Sequence, residues 1–299
     1  GPGFLWAGYL VLAGSMLVTC AAIGHLVGRW SRPGIGPALL TGLGTFALFN
    51  LTERGPFGFM VLSGPPQLRL SAAALAARIA LAACLVVLAV AVPPWRDRIT
   101  SRAPATSRAT SAIAAVMAVI VSIALIAAAG PLRVPRTPPS EPLCSTTTPR
   151  VCVWPENRKY LPELAAMAER LNQLPGDLIT VPDTFYERGL RTSDSQVDFI
   201  ITEGSWSAVP SITGAIVDAT LPPACLVTGE NAERKYQAIF EIVEWLNRRM
   251  YGGDPPAGVR GGPPGVDLAM IREVLQSPDA DQATWVRQRL DTIKAVPCE

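Results

Sequence analysis

Four long apolar runs fill the first 130 residues, and no run of that length follows them. They are "FLWAGYLVLAGSMLVTCAAIGHLVG" (4–28), "GIGPALLTGLGTFALFNL" (34–51), "SAAALAARIALAACLVVLAVAV" (71–92) and "TSAIAAVMAVIVSIALIAAAG" (110–130). A helix needs about 20 mainly apolar residues to cross a bilayer. The second run is short and rich in glycine, the third is broken by Arg78, and the fourth is the cleanest. None has the one-sided period of an amphipathic helix at a soluble surface. The first half therefore predicts an α-helical membrane domain, residues 1–130, with four visible spans.

After residue 130 the pattern changes. "PLRVPRTPPSEPLCSTTTP" (131–149) is proline-rich and reads as a stiff extended stalk. Residues 150–299 then alternate short apolar runs with amphipathic stretches. "RVCVWP", "DLITVPD", "VDFIITEG" and "GAIVDAT" have strand length. "ENRKYLPELAAMAERLNQL" has a helical face of Leu161, Leu164, Ala168 and Leu171. "NAERKYQAIFEIVEWLNRRMYGG" carries a stripe of Tyr236, Ile239, Phe240, Val243, Leu246 and Met250, stopped by Gly252. "VDLAMIREVLQS" is a further helix. The last helix begins near Ser277 as N-cap and Pro278 in the first turn, with Ala283, Val286, Leu290 and Ile293 inward. Strands early and helices late predict an α+β soluble domain, large enough to bury a core of its own.

Charge divides the chain at the same place. Residues 1–130 hold nine Arg against Glu53 and Asp97, a net charge of +7, whereas residues 131–299 carry −5. The basic residues lie scattered between apolar runs, which argues against nucleic-acid binding. They also orient the spans. The turn 29–34 holds Arg29 and Arg32, and the loop 93–110 holds Arg96, Arg98, Arg102 and Arg108. Short Arg-rich loops stay cytoplasmic. The loop 52–70, with Arg54 and Arg69 opposed by Glu53, fits the outside. Span four then runs outward and carries residues 131–299 with it, with Arg133 and Arg136 as the opposing feature. The chain opens on "GPGFLWAGYL" without Met, and the expectation is a fragment or a processed product, with missing earlier helices left open. That opening has no basic leader and is a poor signal peptide.

Cysteine usage fits an outer domain. Cys20 and Cys84 lie in spans, while Cys144, Cys152, Cys225 and Cys298 form an even set of disulfide candidates in the soluble half. Four cysteines allow three pairings. Cys144–Cys152 with Cys225–Cys298 is the preferred one, and four buried thiols are the alternative. Zinc is disfavoured, because there is no CxxC and the one histidine, His25, lies in span one. That single histidine also excludes Ser-His-Asp, Cys-His and HExxH chemistry from the soluble half. No Walker loop is present, so ATP-driven work needs a separate subunit. No catalytic, cofactor-binding or metal residue is assigned.

Three features in or near the spans carry alternatives. Arg78 lies about 10 Å into span three at the helical rise. It is either a functional intramembrane charge or, the preferred reading, a side chain that snorkels to the outer interface. Glycines 34, 36, 42 and 44 allow close helix packing, within this chain or with another. "FGFMVLSG", between Gly-Pro and Gly-Pro-Pro, is too short to span and is either a re-entrant segment or a hydrophobic loop.

At "VCVWPENRKYLPELAAMAERL" (151–171) the chain resembles a group of actinobacterial ABC-transporter-associated membrane proteins with several spans and an extracytoplasmic carboxy-terminal domain. "QATWVRQRLDTIKAVPC" (282–298) is similar to that group's closing helix, and the basic turn 29–33 also fits. The resemblance implies a permease-like subunit that pairs with a separate ATPase, in some cases for peptide export or self-protection. The outer domain of such proteins can be similar to a peptidase fold without its zinc motif, so no catalytic residue is carried over. A permease usually has six spans with both ends inside, whereas four are visible here and the chain ends outside. The expected protein is thus a multi-pass cell-membrane exporter subunit, in a homo- or hetero-oligomer, without cofactor. The alternatives are an anchored extracytoplasmic binding or sensor protein and, behind it, a carboxylate-dependent ectoenzyme.

Overall fold

A computed structural model of the chain describes residues 7–30, 35–52, 64–91, 105–175, 177–191, 198–221, 226–256 and 265–297. Two compact units divide between Arg136 and Thr137. The apolar segment 53–63, most of the basic loop 93–110, Cys225 and Cys298 lie outside the described residues. Arg96, Arg98 and Arg102 fall with that loop; Arg108 lies on a described helix.

The first unit contains α1 (Ala7–Trp30), α2 (Ile35–Thr52), β1 (Leu68–Leu70), α3 (Ala72–Ala91), α4 (Ala105–Ala128) and β2 (Arg133–Pro135). Ala7–Arg29 and Ala72–Ala91 are long and apolar enough to cross a membrane. Only 22% and 28% of their apolar windows are buried, so most of each window faces away from the interior of the unit. Leu10, Leu17, Leu40, Phe46, Val87 and Ile120 are among many large apolar side chains that face outward. An apolar surface of that extent marks a face that meets a membrane or a partner.

The helix directions follow from contacts at the two ends. At one end, a Cβ on Gly8 would meet Leu70 at 3.0 Å, and one on Gly64 would overlap the Tyr9 hydroxyl. At the other, the Arg29 guanidinium donates to the Ala89 and Val90 carbonyls at 2.9 and 3.2 Å. These are terminal carbonyls of α3, which have no intrahelical donor and sit at the negative end of its dipole. α1 and α3 therefore run parallel. β1 and β2 pair antiparallel, Leu70 opposite Arg133, and Ser71 N donates to the Leu132 carbonyl at 2.9 Å. α4 thus ends where α3 begins and runs antiparallel to it.

Arg78 departs from the snorkelling expectation. It is fully buried, and its Nη1 donates to the Ala74 carbonyl one turn back, at 2.8 Å. The guanidinium turns toward the start of α3, as snorkelling requires, but stays inside the helical unit. Ser15, Thr19 and Ser122 are buried too, each bonding a carbonyl of its own helix at 2.7–2.8 Å, the usual way to hide a hydroxyl in an apolar interior. His25 is exposed. A Cβ on Gly36, Gly42 or Gly44 would meet nothing within 4 Å. These glycines do not mediate close packing among the described residues.

The second unit holds a four-stranded sheet in the order β3 (Leu143–Cys144), β4 (Arg150–Val153), β5 (Thr184–Glu187), β6 (Asp198–Phe199). β3 is antiparallel to β4; β4, β5 and β6 are parallel. The helices are α5 (Leu161–Glu169), α6 (Val209–Thr220), α7 (Gly229–Tyr251), α8 (Leu268–Gln276) and α9 (Asp279–Ala295). The proline segment 131–149 is not a free stalk throughout. Its start forms β2 and its end forms β3.

Several local expectations give way to stronger constraints. "GAIVDAT" is part of α6, not a strand. Val209, Ile212, Ala215 and Ile216 recur at helical spacing and are buried, with Pro210 in the first turn where its missing N–H costs nothing. "DLITVPD" begins in a turn at 177–178 and continues without regular structure, and the strand follows it at Thr184–Glu187, where Phe185 and Glu187 alternate inward. Ser277 does not cap α9; its hydroxyl donates to the Val274 carbonyl at 2.6 Å and closes α8. Pro162 sets the start of α5, and the residues before it tighten into a 3-10 turn, Pro155–Tyr160.

The inward face of α7 is rotated from the apolar stripe expected. Ala238, Ile242, Trp245, Leu246 and Met250 are buried beside Glu241, Glu244 and Arg248, whereas Tyr236 is exposed. Those charges are paired: Arg248 with Glu244 at 2.8 Å and with Asp254, and Arg289 of α9 with Glu241 at 2.9 Å. Trp245 Nε1 donates to Gln282 Oε1 at 3.0 Å. Gly252, at φ +79°, ends α7 in a left-handed cap, its N–H bonded to the Arg248 carbonyl at 2.9 Å.

Truncation separates the two faces of α7. Trp245→Ala is expected to cost about 3–5 kcal/mol in denaturant unfolding, and Tyr236→Ala about 0.5 kcal/mol or less. Equal losses would restore the stripe read from sequence.

Candidate functional site

The carboxyl ends of parallel strands leave a crevice where the chain turns away, and open α/β sheets place their sites there. Here the exits of two strands are joined: Trp154–Asn157 after β4, and Glu187 at the end of β5 with Arg188 after it. Period-2 alternation sends Val151, Val153 and Phe185 into the helical core. It sends Cys152 to the opposite face, where Trp154, Leu190, Cys144 and Tyr186 form a separate small cluster.

Cys144 and Cys152 are directly opposite across β3–β4 and form a disulfide. The bond ties the edge strand to the strand that supplies the site. Cys225 and Cys298, the other expected pair, lie outside the described residues. Cys20 and Cys84 are free thiols.

Glu187 joins the exits of β4 and β5. It is 2% exposed. Its Oε2 accepts from the Trp154 backbone N–H at 2.9 Å, and its Oε1 accepts from Asn157 Nδ2 at 2.6 Å. Trp154 Nε1 donates to the Arg188 carbonyl at 3.0 Å. The exits of β4 and β5 are thus clamped by three polar bonds within five residues of each strand. Asn157 is 1% exposed, and its Oδ1 has no hydrogen-bond partner. Burial, opposed by the two N–H donors and reinforced by the nearby Glu156 charge, pushes the Glu187 carboxyl from the ordinary 4.5 up to about 7. Desolvation outweighs the hydrogen bonds because a carboxylate loses more on leaving water than two neutral donors return.

A second set of bonds closes the neighbouring exit. The Ser205 hydroxyl donates to Glu163 of α5, and the Tyr251 hydroxyl donates to the Trp206 carbonyl at 3.1 Å. Burial and the Glu244 charge push the Tyr251 phenol up to about 12, so it remains a donor at neutral pH.

The arrangement can take up and release a proton near neutrality at a carboxyl shut away from solvent. Among the described residues, no group of three His, Cys, Asp or Glu side chains is placed to hold a metal. Of the residues singled out from sequence, the structure brings together Cys144 and Cys152. Arg78 lies in the other unit. Glu187, Asn157 and Glu156 were not singled out. The legible signal was the alternation in "TFYE", which puts Glu187 on the inward face with Phe185.

The model of a domain of unknown function, DUF7224, matches residues 151–295. The match runs from the second residue of β4 to the last residue of α9, and so spans the sheet exits and all five helices of the unit. No curated protein and no solved structure matches the chain.

A carboxyl whose folded pKa is raised contributes stability that is present below its unfolded value and lost as pH rises to the folded value. For Glu187 that window runs from about pH 4.5 to about pH 7. Glu187→Gln is expected to raise unfolding stability at pH 8 by on the order of 3 kcal/mol and to lose most of that gain by pH 4.5. Denaturant titrations at the two pH values check it; a loss of stability at pH 8 would contradict it.

Proposed function

We propose that the chain is a permease-like membrane subunit of an ABC-type exporter, with four membrane crossings and an extracytoplasmic carboxy-terminal domain that meets substrate or partner. The single observation that carries this reading is Arg78, a guanidinium held in the interior of an otherwise apolar helical unit beside buried hydroxyl-bearing helices. A charge kept at that cost inside a membrane unit marks a substrate path or a contact between helices more often than a structural accident. The parallel run of α1 and α3 supports four crossings, because the chain between them must return across the unit. The Arg-rich 93–110 loop supports a cytoplasmic docking point for a separate ATPase. Peptide products are the substrate class that the resemblance favours.

A second reading is an anchored extracytoplasmic sensor without transport. The clamp at Glu187 favours it, since a proton site closed to solvent suits sensing. An ectoenzyme ranks third.

Co-purification distinguishes the first two. The intact protein is expected to recover an ATPase from its native membrane, and replacement of Arg96, Arg98, Arg102 and Arg108 by Gln is expected to lower that recovery at least tenfold. Undiminished recovery by the variant, or none by the parent, would reject the exporter reading.

A further inference from the structure

The ribbon of β1 and β2 is rooted in apolar packing and carries its charge outward. Leu132, next to β2, is buried with Leu12 of α1 and Ala74 of α3. Leu70 of β1 lies against Gly8. Ser71 alone separates β1 from α3, and residues 129–132 separate α4 from β2. The ribbon therefore stands within a few residues of the ends of two apolar helices. Arg69 and Arg133 are exposed on it, and the half-buried Arg136 follows it. Just below, Leu10 in the first turn of α1 and Leu125 in the last turn of α4 are exposed as well. Arginine above and apolar side chains beneath is the profile of a surface that meets a lipid, with its phosphate at the edge of the hydrocarbon.

The register puts these charges on both faces of the ribbon. Arg69 is opposite Val134, and Leu70 is opposite Arg133. Opposed side chains share a face, and successive ones alternate. Arg136 N donates to the Gln67 carbonyl at 2.8 Å and continues the ladder, so Arg136 shares the face of Arg69. Arg133 stands on the other face, beside Leu70. Arg136 is partly engaged, since its Nη1 donates to the Pro66 carbonyl at 3.4 Å. The Arg69 and Arg133 guanidiniums have no hydrogen bond or ion pair among the described residues. Arg29, at the opposite end of the unit, differs, because its guanidinium is held by the α3 carbonyls. No Asp or Glu occurs among the described residues of the helical unit, so no carboxylate there offsets the charge. Residues 1–136 also contain no Lys. A guanidinium fork fits two oxygens of one phosphate, where an ammonium offers only a point charge.

We propose that the β1–β2 ribbon is a docking surface for anionic membrane lipid, with Arg69 and Arg133 each taking a lipid phosphate on its own face and Arg136 adding charge beside Arg69. The acyl chains lie along the exposed apolar side chains of α1 and α4. A bound phosphate neutralises arginines that otherwise oppose the outward run of α4, and it fixes the level of the ribbon at the membrane surface. The inference rests on the membrane crossings of the proposed function and on no transport step.

Native mass spectrometry of the full-length protein in non-ionic detergent, titrated with phosphatidylglycerol or with phosphatidylcholine of the same chains, tests it. Phosphatidylglycerol is expected to bind about tenfold more tightly at low salt, and the preference to shrink as ionic strength rises. Arg69→Gln combined with Arg133→Gln is expected to bring the preference to within about twofold. Arg69→Lys combined with Arg133→Lys keeps the charges without the fork and should retain part of it. Arg150→Gln combined with Arg188→Gln, exposed in the other unit, should leave it unchanged. Equal binding of the two lipids by the parent, an undiminished preference in the Arg69 and Arg133 glutamine variant, or displacement of the lipid by an equal concentration of inorganic phosphate would overturn the proposal. Binding of neither lipid would reject the membrane reading along with it.

Discussion

Two helices that lie side by side and parallel cannot be joined by a tight turn. α1 and α3 are held in that relation at both ends, by Gly8 against Leu70 and by the Arg29 guanidinium on the Ala89 and Val90 carbonyls. A helix of 24 residues is about 36 Å long, so the chain between them has to travel back over a comparable distance. α2 lies within that return, and α4 runs antiparallel to α3, as the β1–β2 pairing at its end records. The constraint puts Arg69, Arg133 and Arg136 at one end of the unit and Arg29 at the other.

The second unit rests on a different economy. Its sheet is small, and its parallel strands are short. Short strands leave few ladder bonds to fix where the chain turns. Side chains take over that work: Glu187 binds the exit of β4, Trp154 binds the exit of β5, and the Cys144–Cys152 disulfide fastens the edge. The match to a family model begins at β4 and closes with α9, so the clamp lies inside the matched stretch. A structural clamp built from a buried carboxylate is sensitive to protons by its nature, since its strength depends on which form of the acid is held.

How much of this was legible in the sequence depended on the kind of force involved. The apolar runs were legible because a long apolar helix needs length and composition and little else. Helices α1, α3 and α4 lie where the runs lie, and the buried positions Val286, Leu290 and Ile293 follow from spacing. β4 and the Cys144–Cys152 pair were also visible. "GAIVDAT" misled because its β-branched residues suit a strand while their spacing suits a helix, and tertiary packing favoured the helix. The inner face of α7 misled for another reason. An apolar stripe assumes that charges point outward, but Glu241, Glu244 and Arg248 are inside, paired with one another and with Arg289 and Asp254. Pairing over 48 residues, as in Glu241–Arg289, has no local signature. The clamp at Glu187 shares that difficulty, since Trp154 and Glu187 meet only once the sheet has formed.

The measurement that tests the central claim most directly is the side from which each end of the helical unit can be reached. Single cysteines at Gln67 and Thr137 mark one end, and one at Ser107, near the start of α4, marks the other, in a chain with Cys20, Cys84, Cys225 and Cys298 replaced by alanine. The Cys144–Cys152 disulfide stays intact. A membrane-impermeant thiol reagent applied to intact cells is expected to label the cysteines at 67 and 137, and to reach 107 only after the membrane is opened. Labelling of all three from the same side would contradict the account.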